Sequence, residues 1–444
     1  MDNLTHSVVG LGIGALIDRS LPDEPDTESQ RVRTRMLLVI GALASNFPDL
    51  DLITTKLLEP PLGYLLLHRG HTHTLVGALA ELIILLAGTW LLWPGARGLL
   101  RTSARSRVAA VGTACIGLLL HIGMDGMNVY GVHPFWPFDP SWYYGDLIFI
   151  VEPVFWIGFG VPLAAMVRRK GLRWGLFALM ALVPLGVTLA GFLQWGSLAG
   201  LLALGVALAA LERRARHRPR GARSRMALAA GVSLSIAYIG VQAVSLQQAR
   251  AIVAAELERR APGEQLVDAA LSAYPANPLC WSFVTVASDE GAGSYHLRRG
   301  LLTVAPGIAP VTACPAPIAG RAAPDAVQAG GLAFTTDERA SLATLRSLSQ
   351  HNCHFNAWLR FARAPSVERD VATDVRWGPP GSVNFSTIDY GALAARPCPH
   401  PVPGWGMPRA DLLGGRVLPD IQSSDEHAAH PPHGAYGDDR ARSR

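Results

Sequence analysis

Histidine and aspartate recur in short stretches of the first 155 residues, and these two residue types are common ligands of zinc and similar divalent ions. The stretches are MDNLTH, SNFPDLD, HRGHTHT and HIGMDGMN, followed by Asp146 and Glu152. His121 and Asp125 stand four residues apart, so a helix places them on one face. Two interpretations are open there, a shared metal ion and a purely structural hydrogen bond. Asp49 and Asp51 follow Pro48, which favours a helix end that frees both carboxylates, although such a stretch often serves only as a cap.

We predict that one metal site draws its ligands from several of these stretches. The expected ligands are His6, Asp49, His68, His73, His121 and Asp125. We expect Asp51 to be a further ligand or a general base, and Arg69 to hold a phosphate or carboxylate group. Carboxylates that lie close together repel one another unless a cation or protons intervene. Taken singly, His6 and Arg69 could be polar residues of the membrane interface, and His71 is expected to face solvent or to support the ligands.

Long apolar runs must position these groups. Half of the 444 residues are hydrophobic and only 16% are charged, whereas a soluble domain carries about a quarter charged residues. A membrane span needs about 20 apolar residues. The candidate spans are 4–19, 35–53, 73–93, 107–126, 149–167, 172–190, 194–212 and 226–247. The first is short, and it lacks the basic start of a cleaved signal peptide.

Arginine and lysine residues predict how these spans are oriented. The segments 94–107, 168–173 and 212–225 are rich in arginine, whereas 127–148 and 191–196 contain neither arginine nor lysine. Because basic loops remain in the cytoplasm, the first group is expected inside and the second outside. The His and Asp stretches then all reach the outer boundary, and residues 248–444 lie outside the membrane.

The fold class predicted is mainly α, a polytopic transmembrane bundle of about eight helices with a small C-terminal α+β domain outside the membrane. We expect a metal-site membrane domain at 1–168, additional transmembrane helices at 169–247, a periplasmic α+β domain at 248–404 and a disordered tail at 405–444. Helix is expected at 248–260, continuing the last span, and at 337–361. Strand is expected at 279–287, 295–304 and 382–390, the first two forming a hairpin across the glycine-rich residues 291–293.

At this point the motifs resemble a known family. MDNLTH, FPDLD, HRGHTHT and HIGMD, in this order over residues 1–155, resemble the YdjM-type family of inner-membrane metal-dependent hydrolases. The resemblance implies ligands at His6, Asp49, His68, His73, His121 and Asp125, with Asp51 and Arg69 beside them. Thr74 stands where that family commonly has serine. A remoter similarity is to the zinc-dependent phospholipase C fold, whose later ligands have only Asp146 and Glu152 as candidates here.

Two further regions contain residues that could contribute to a binding site or form disulfides. The aromatic loop 129–153 is expected to form an interfacial belt or a lid over the polar site, which His133 and Asp139 could join. In the C-terminal region, Cys280, Cys314, Cys353 and Cys398 make one or two disulfides plausible in an oxidising compartment. His351, Cys353 and His354 could bind a metal or provide a nucleophile, although this pattern is weak without a second pair of ligands. The tail histidines His427, His430 and His433 are also weak metal candidates.

The sequence therefore predicts a bacterial inner-membrane hydrolase that uses a divalent metal, with zinc preferred. Its site would face the periplasm and act on an ester or phosphoester, such as a lipid. The alternatives are a cation transporter or channel, which needs charged residues at mid-membrane where we find none, and a non-catalytic anchor for the C-terminal domain. The partner expected is the lipid bilayer. Nucleic acid is not expected despite the net charge of +5, because no basic stretch is interleaved with aromatic residues.

Overall fold

The computed structural model of the protein describes residues 1–315, 327–328 and 331–414. Its N-terminal part is helical. The helices are α1 (Asn3–Ser20), α2 (Thr27–Ala44), α3 (Leu62–Leu67), α4 (Leu75–Leu92), α5 (Pro94–Thr102), α6 (Ala104–Gly126), α7 (Pro153–Met166), α8 (Lys170–Leu189), α9 (Trp195–Arg214) and α10 (Arg220–Arg260). A 3₁₀ helix at Pro48–Leu57 continues α2 after a short break. Each of the eight predicted spans lies on one of these helices.

Six of the helical segments in the described part of the chain are long and apolar enough to cross a membrane, namely Thr27–Leu57, α4, α6, α8, α9 and α10. Helix α7 is apolar but shorter. The protein is therefore a polytopic membrane protein, and this length criterion supports six spans where the sequence predicts about eight.

Helices α1, α2, α4 and α6 run alternately up and down, so the start of α1, the end of α2, the start of α4 and the end of α6 lie at one end of the bundle. Close packing of α1 on α2 depends on glycine. A Cβ on Gly10 or Gly41 would overlap the carbonyl oxygen of the other residue. At the opposite end, buried Arg33 lies 3.0 Å from the Asp18 carboxylate and 3.1 Å from Glu24. Ser106 of α6 donates to the same Glu24.

Helix α10 joins the membrane bundle to the C-terminal domain. It contains 41 residues, about 60 Å at 1.5 Å per residue. The span predicted at 226–247 and the helix predicted to continue it at 248–260 form one continuous helix. Leu246, Val253 and Leu257 on its last turns pack against Leu271 and Trp281 of the sheet.

The C-terminal domain is built on an antiparallel sheet with strand order β1-β2-β3-β5-β4. Its strands are β1 (Gln265–Tyr274), β2 (Asn277–Asp289), β3 (Ser294–Thr303), β4 (Val327–Gln328) and β5 (Leu332–Ser341). Helices α11 (Leu342–His351), α12 (Cys353–Leu359) and α13 (Tyr390–Leu393) follow, with a small sheet of β6 (Pro365–Glu368), β7 (Val371–Asp374) and β8 (Ile388–Asp389). The predicted hairpin of β2 and β3 is confirmed.

Several details of the C-terminal domain differ from the sequence expectations. Residues 337–341 belong to β5, because pairing with β3 outweighs the helical preference of that segment. The strand expected at 382–390 is limited to Ile388–Asp389. Residues 405–414 pack against the domain, with Trp405 and Leu412 each 1% exposed, so the ordered chain extends past the predicted start of the tail. The tail histidines lie outside the described residues.

The C-terminal cysteines form two disulfides, Cys280–Cys314 and Cys353–Cys398. The first fastens β2 to the segment after β3, and the second fastens α12 to the chain before Trp405. The weak metal site expected at His351, Cys353 and His354 is therefore wrong, because the Cys353 sulfur is consumed by the disulfide. Cys115, in α6, is free.

Candidate metal centre

Four side chains from three segments converge at the end of the bundle. His73 precedes α4, His121 and Asp125 lie one turn apart in α6, and Asp49 lies in the 3₁₀ helix after α2. All four are buried. One ligand atom from each lies within 4.8 Å of the ligand atoms of the others.

The spacing of these atoms suits a tetrahedral ion. His73 Nε2 lies 3.1 Å from His121 Nε2, 3.5 Å from Asp49 Oδ1 and 3.3 Å from Asp125 Oδ2. His121 Nε2 lies 3.5 Å from Asp49 Oδ1 and 3.7 Å from Asp125 Oδ2. A zinc ion with ligands at about 2.0–2.1 Å places them roughly 3.3 Å apart at the corners of a tetrahedron. The observed distances bracket that value, so the residues fit such an ion.

Hydrogen bonds fix which nitrogen of each imidazole faces this centre. His121 Nδ1 lies 2.7 Å from the Ser45 carbonyl oxygen, which can only accept, so Nδ1 carries the proton and Nε2 presents its lone pair. His73 Nδ1 lies 3.2 Å from Asp51 Oδ2 and 3.1 Å from the Thr72 hydroxyl. The Asp51 carboxylate accepts from this nitrogen and leaves His73 Nε2 free toward the centre.

Asp51 lies behind the histidines and lines the site with His68. Its Oδ1 lies 2.9 Å from His68 Nδ1, and its Oδ2 also accepts from the Thr72 hydroxyl at 2.8 Å. Asp49, Asp51 and His68 form a second group with ligand-compatible spacing, which shares Asp49 with the first. Burial lowers the pKa of His68, although the Asp51 carboxylate opposes the shift. The imidazole is therefore neutral near pH 7, the form that binds metals.

His6 and Arg69 complete the wall around Asp125. His6 Nε2 lies 3.3 Å from Asp125 Oδ1, and its ring stacks on His121 with centroids 3.9 Å apart. Arg69 Nε lies 2.9 Å from Asp125 Oδ2, and its Nη1 donates to Asn128 Oδ1 at 3.0 Å. The Arg69 guanidinium also lies over the Tyr130 ring, 4.6 Å from the centroid. The guanidinium therefore neutralises Asp125 and is held by protein groups.

The charge balance of the centre is negative. Among the described residues, Asp49, Asp51 and Asp125 face one buried guanidinium, that of Arg69. Burial lowers the pKa of the Met1 amino group that contacts Asp125 well below its usual value. With neutral imidazoles, three carboxylates therefore face the single positive charge of Arg69 in a region shielded from water. Buried carboxylates in such surroundings are normally paired or bound to a metal, so a divalent cation is compatible with the site electrostatically as well as geometrically.

The structure brings all eight predicted site residues together, but only four of them form the group of converging ligand atoms. Asp49, His73, His121 and Asp125 form the four-atom group, while His68, Asp51, His6 and Arg69 border it. Supporting groups that the sequence analysis did not single out are Asn3, which donates to Asp49 Oδ2 at 2.9 Å, the Ser45 carbonyl and Thr72. Hydrogen-bonding partners of this kind carry no distinctive spacing in a sequence.

Four other candidates lie outside the four-atom group. Asp146 is paired with Arg363 of the C-terminal domain at 2.7 Å. Glu152 accepts from the backbone of Val154 and Ala276 and from Tyr238. His133 is buried between Trp142 and Trp405, and burial lowers its pKa to about 3. Asp139 accepts from Ser141 and Tyr143 within its own loop.

The aromatic loop has two kinds of residue. Phe135, Phe138 and Tyr143 are exposed, as an interfacial belt requires. Trp136 of this loop and Trp405 of the C-terminal domain instead pack against His71 of the HRGHTHT segment and are called the aromatic cover here. His71 is exposed, as the sequence predicts, and its ring lies 4.5 Å from the Trp136 ring and 5.0 Å from that of Trp405. The indole of Trp405 donates to the Leu66 carbonyl at 2.8 Å.

One membrane residue departs from the sequence analysis, which finds no charged group at mid-membrane. Glu81 lies within α4, two turns beyond His73, and is 5% exposed. Its Oε2 has no hydrogen-bond partner among the described residues. A buried carboxylate therefore does stand below the metal centre.

Comparison with known proteins agrees with the motif resemblance. The family model described as YdjM inner membrane protein matches residues 1–196. An uncharacterized protein of Bacillus subtilis (strain 168), YfhP, is 27% identical over 157 residues, which is 35% of this chain and 43% of that protein. The matched region thus spans less than half the length of this relative. No solved structure matches.

Proposed function

We propose that residues 1–196, the part of the chain that matches the YdjM inner membrane protein family, carry a metal-dependent hydrolase site at the membrane boundary. The observation that carries this proposal is the set of four buried ligand atoms whose separations suit one tetrahedral ion. Two imidazoles and two carboxylates are a ligand set typical of zinc. The substrate class is an ester or phosphoester, with a lipid headgroup as the natural candidate at this depth.

Each residue has a role that follows from its contacts. Asp49, His73, His121 and Asp125 would hold the ion, which supplies Lewis acidity when bound. Asp51 orients His73 and His68 through its two oxygens, which favours a supporting role over direct ligation. His68 with Asp49 and Asp51 could accommodate a second ion. Arg69 offsets the charge of Asp125 and holds Asn128 at the rim of the site.

The substrate proposal is supported by the surroundings of the site. The exposed apolar residues Phe135 and Phe138 lie on the same loop as Trp136 of the aromatic cover. Exposed aromatic side chains favour the headgroup region of a bilayer. An amphipathic substrate could therefore reach the boundary of the centre without leaving the membrane.

We place this end of the bundle and the C-terminal domain in the periplasm of a bacterial inner membrane. The arginine-rich segments 94–107, 168–173 and 212–225 all lie at the opposite end of the helices, and such segments remain in the cytoplasm. The two disulfides of the C-terminal domain suit an oxidising compartment.

One observation favours a second candidate, a cation transporter. Glu81 is a buried carboxylate within α4, and ionisable residues inside membranes often line ion pathways. At the far end of the bundle, the buried side chains of Asp18 and Arg33 bind each other. This pair is therefore not free to bind a transported cation. The hydrolase is therefore the better supported function.

The test uses the purified full chain with His121→Ala and Asp125→Asn as variants and Asp139→Asn as the control. We expect the wild type and the control to bind stoichiometric zinc by elemental analysis and to hydrolyse a chromogenic ester or phosphodiester. The first two variants should remain folded by circular dichroism and lose both properties. Absence of bound divalent metal in the wild type contradicts the proposal. Metal binding with ion flux into proteoliposomes but no hydrolysis supports the transporter instead.

A further inference from the structure

A cavity of 270 Å³ lies between the sheet of the C-terminal domain and the external loop of the membrane bundle. Its walls are mostly apolar and come from the loop residues Val129, Phe149 and Ile150 and from Phe283, Val284 and Trp377 of the C-terminal domain. Two arginines, Arg299 and Arg376, also line it, and none of the described residues around it is an aspartate or glutamate. The cavity therefore combines apolar walls with positive charge.

Only one of these arginines has its charge balanced. Arg376 Nη2 lies 2.7 Å from the Asp374 carboxylate. Arg299 is 6% exposed, and its Nε has no hydrogen-bond partner among the described residues. Burial lowers the pKa of the Arg299 guanidinium, with the nearby Tyr274 only partly opposing the shift. A buried cation without a carboxylate is costly, so its retention calls for a ligand.

Neighbouring arginines differ from Arg299 because they have carboxylate partners. Arg298, the preceding residue of β3, pairs with Glu264 at 2.6 Å and with Asp337 at 3.2 Å. Arg363 pairs with both Asp146 and Asp268 at 2.7 Å. Within the described part of the chain, Arg298 and Arg363 thus have carboxylate partners, whereas Arg299 has none.

A second donor lines the same cavity. Asn128 Oδ1 accepts from Arg69 Nη1 at 3.0 Å and from the Tyr130 backbone at 2.9 Å, which fixes the orientation of the amide. Its Nδ2 is buried and has no acceptor among the residues that the structure describes. Asn128 and Arg299 therefore present unused donors to one enclosed space.

We propose that this cavity is a binding site for an oxyanion with an apolar substituent, such as an alkyl phosphate or a fatty carboxylate. The Arg299 guanidinium supplies the charge, Asn128 Nδ2 supplies a second donor, and the walls of Phe149, Ile150 and Phe283 receive the apolar part. The site is separate from the metal centre, although Asn128 also contacts Arg69. It requires neither a bound metal nor hydrolysis.

The test measures binding of octyl phosphate, octanoate and inorganic phosphate by calorimetry to the full chain in nanodiscs of zwitterionic lipid. EDTA is present, so that a failure of the metal proposal does not affect the result. Arg299→Gln is the variant and Arg339→Gln the control, because Arg339 is an exposed arginine of the adjoining strand β5. We expect an octyl anion to bind the wild type and the control, with affinity about 10- to 100-fold lower for Arg299→Gln.

Thermal unfolding provides a readout that a purely structural role would not produce. Without ligand, Arg299→Gln should melt at a higher temperature than the wild type because it removes an unpaired buried charge, and octyl phosphate should no longer raise its melting temperature. A lower melting temperature without ligand, or unchanged binding in this variant, overturns the proposal. So does the failure of both octyl anions to bind the wild type. Equal affinity for inorganic phosphate overturns the role of the apolar walls.

Discussion

At the scale of single residues, the structure assigns different positions to two aspartates that the sequence cannot distinguish. Asp49 and Asp51 stand two residues apart in FPDLD. Asp49 Oδ1 nevertheless faces the Nε2 atoms of His73 and His121, whereas the Asp51 carboxylate faces the Nδ1 atoms of His73 and His68. The first geometry is that of a ligand, and the second is that of a partner that sets the tautomer and orientation of a ligand.

Asp51→Asn should therefore weaken zinc binding without abolishing it. Loss of an orienting carboxylate costs about 10- to 100-fold in metal affinity, whereas Asp49→Asn should remove detectable binding. Competition with a chromophoric chelator measures both constants. Equal loss in the two variants would identify Asp51 as a direct ligand, and unchanged affinity in Asp51→Asn would exclude the proposed orienting role.

At the scale of helices, the position of the ligands depends on how closely α1 approaches α2. His6 lies one turn before Gly10 on α1, and Gly10 and Gly41 leave no room for a side chain between the two backbones. Small residues allow such close approach of membrane helices. Any increase in this spacing moves His6 and the end of α2 apart.

Gly10→Ala should thus lower both stability and metal affinity, since a methyl group there overlaps the Gly41 carbonyl oxygen. Overpacking of this kind costs about 1–3 kcal/mol. Gly112→Ala in α6 is the matched control, because a Cβ there has no atom within 4 Å. Melting temperature and zinc affinity report the two effects. If both variants behave alike, α1 and α2 do not set the geometry of the centre.

At the scale of the whole molecule, the C-terminal domain packs directly on the end of the bundle that holds the centre. Arg363 pairs with Asp146 through two hydrogen bonds of 2.7 and 2.9 Å, Trp142 donates to the Arg360 carbonyl, and Trp405 covers His71 and His133. The domain and the centre must therefore lie on the same side of the membrane.

This arrangement predicts the outcome of labelling intact cells with a membrane-impermeant thiol reagent. Ala292→Cys, in the exposed turn between β2 and β3, should react in intact cells. Arg105→Cys, at the arginine-rich end of α6, should react only after the membrane is opened. The reverse pattern would place the centre in the cytoplasm and contradict the proposed orientation.

The sequence by itself determined the features that depend on local pattern. Apolar runs identified the helices because a span needs a minimum length of hydrophobic side chains, and alternating chain direction brought the His and Asp stretches to one end. The β2–β3 hairpin was also predictable, since its strands are adjacent in the chain. Glu81 was visible in the sequence as well, but nothing local showed that its side chain points inward.

Only the tertiary structure decided the relations between distant residues. Three features depend on contacts between segments far apart in the chain. They are the Cys353–Cys398 pairing, the contact of Trp405 with His71, and the lack of a carboxylate beside Arg299 among the residues that the structure describes. Which of Asp49 and Asp51 faces the centre also depends on where α4 and α6 present their imidazoles. Local propensity carries no information on such contacts, because they are set by packing and burial of the whole chain.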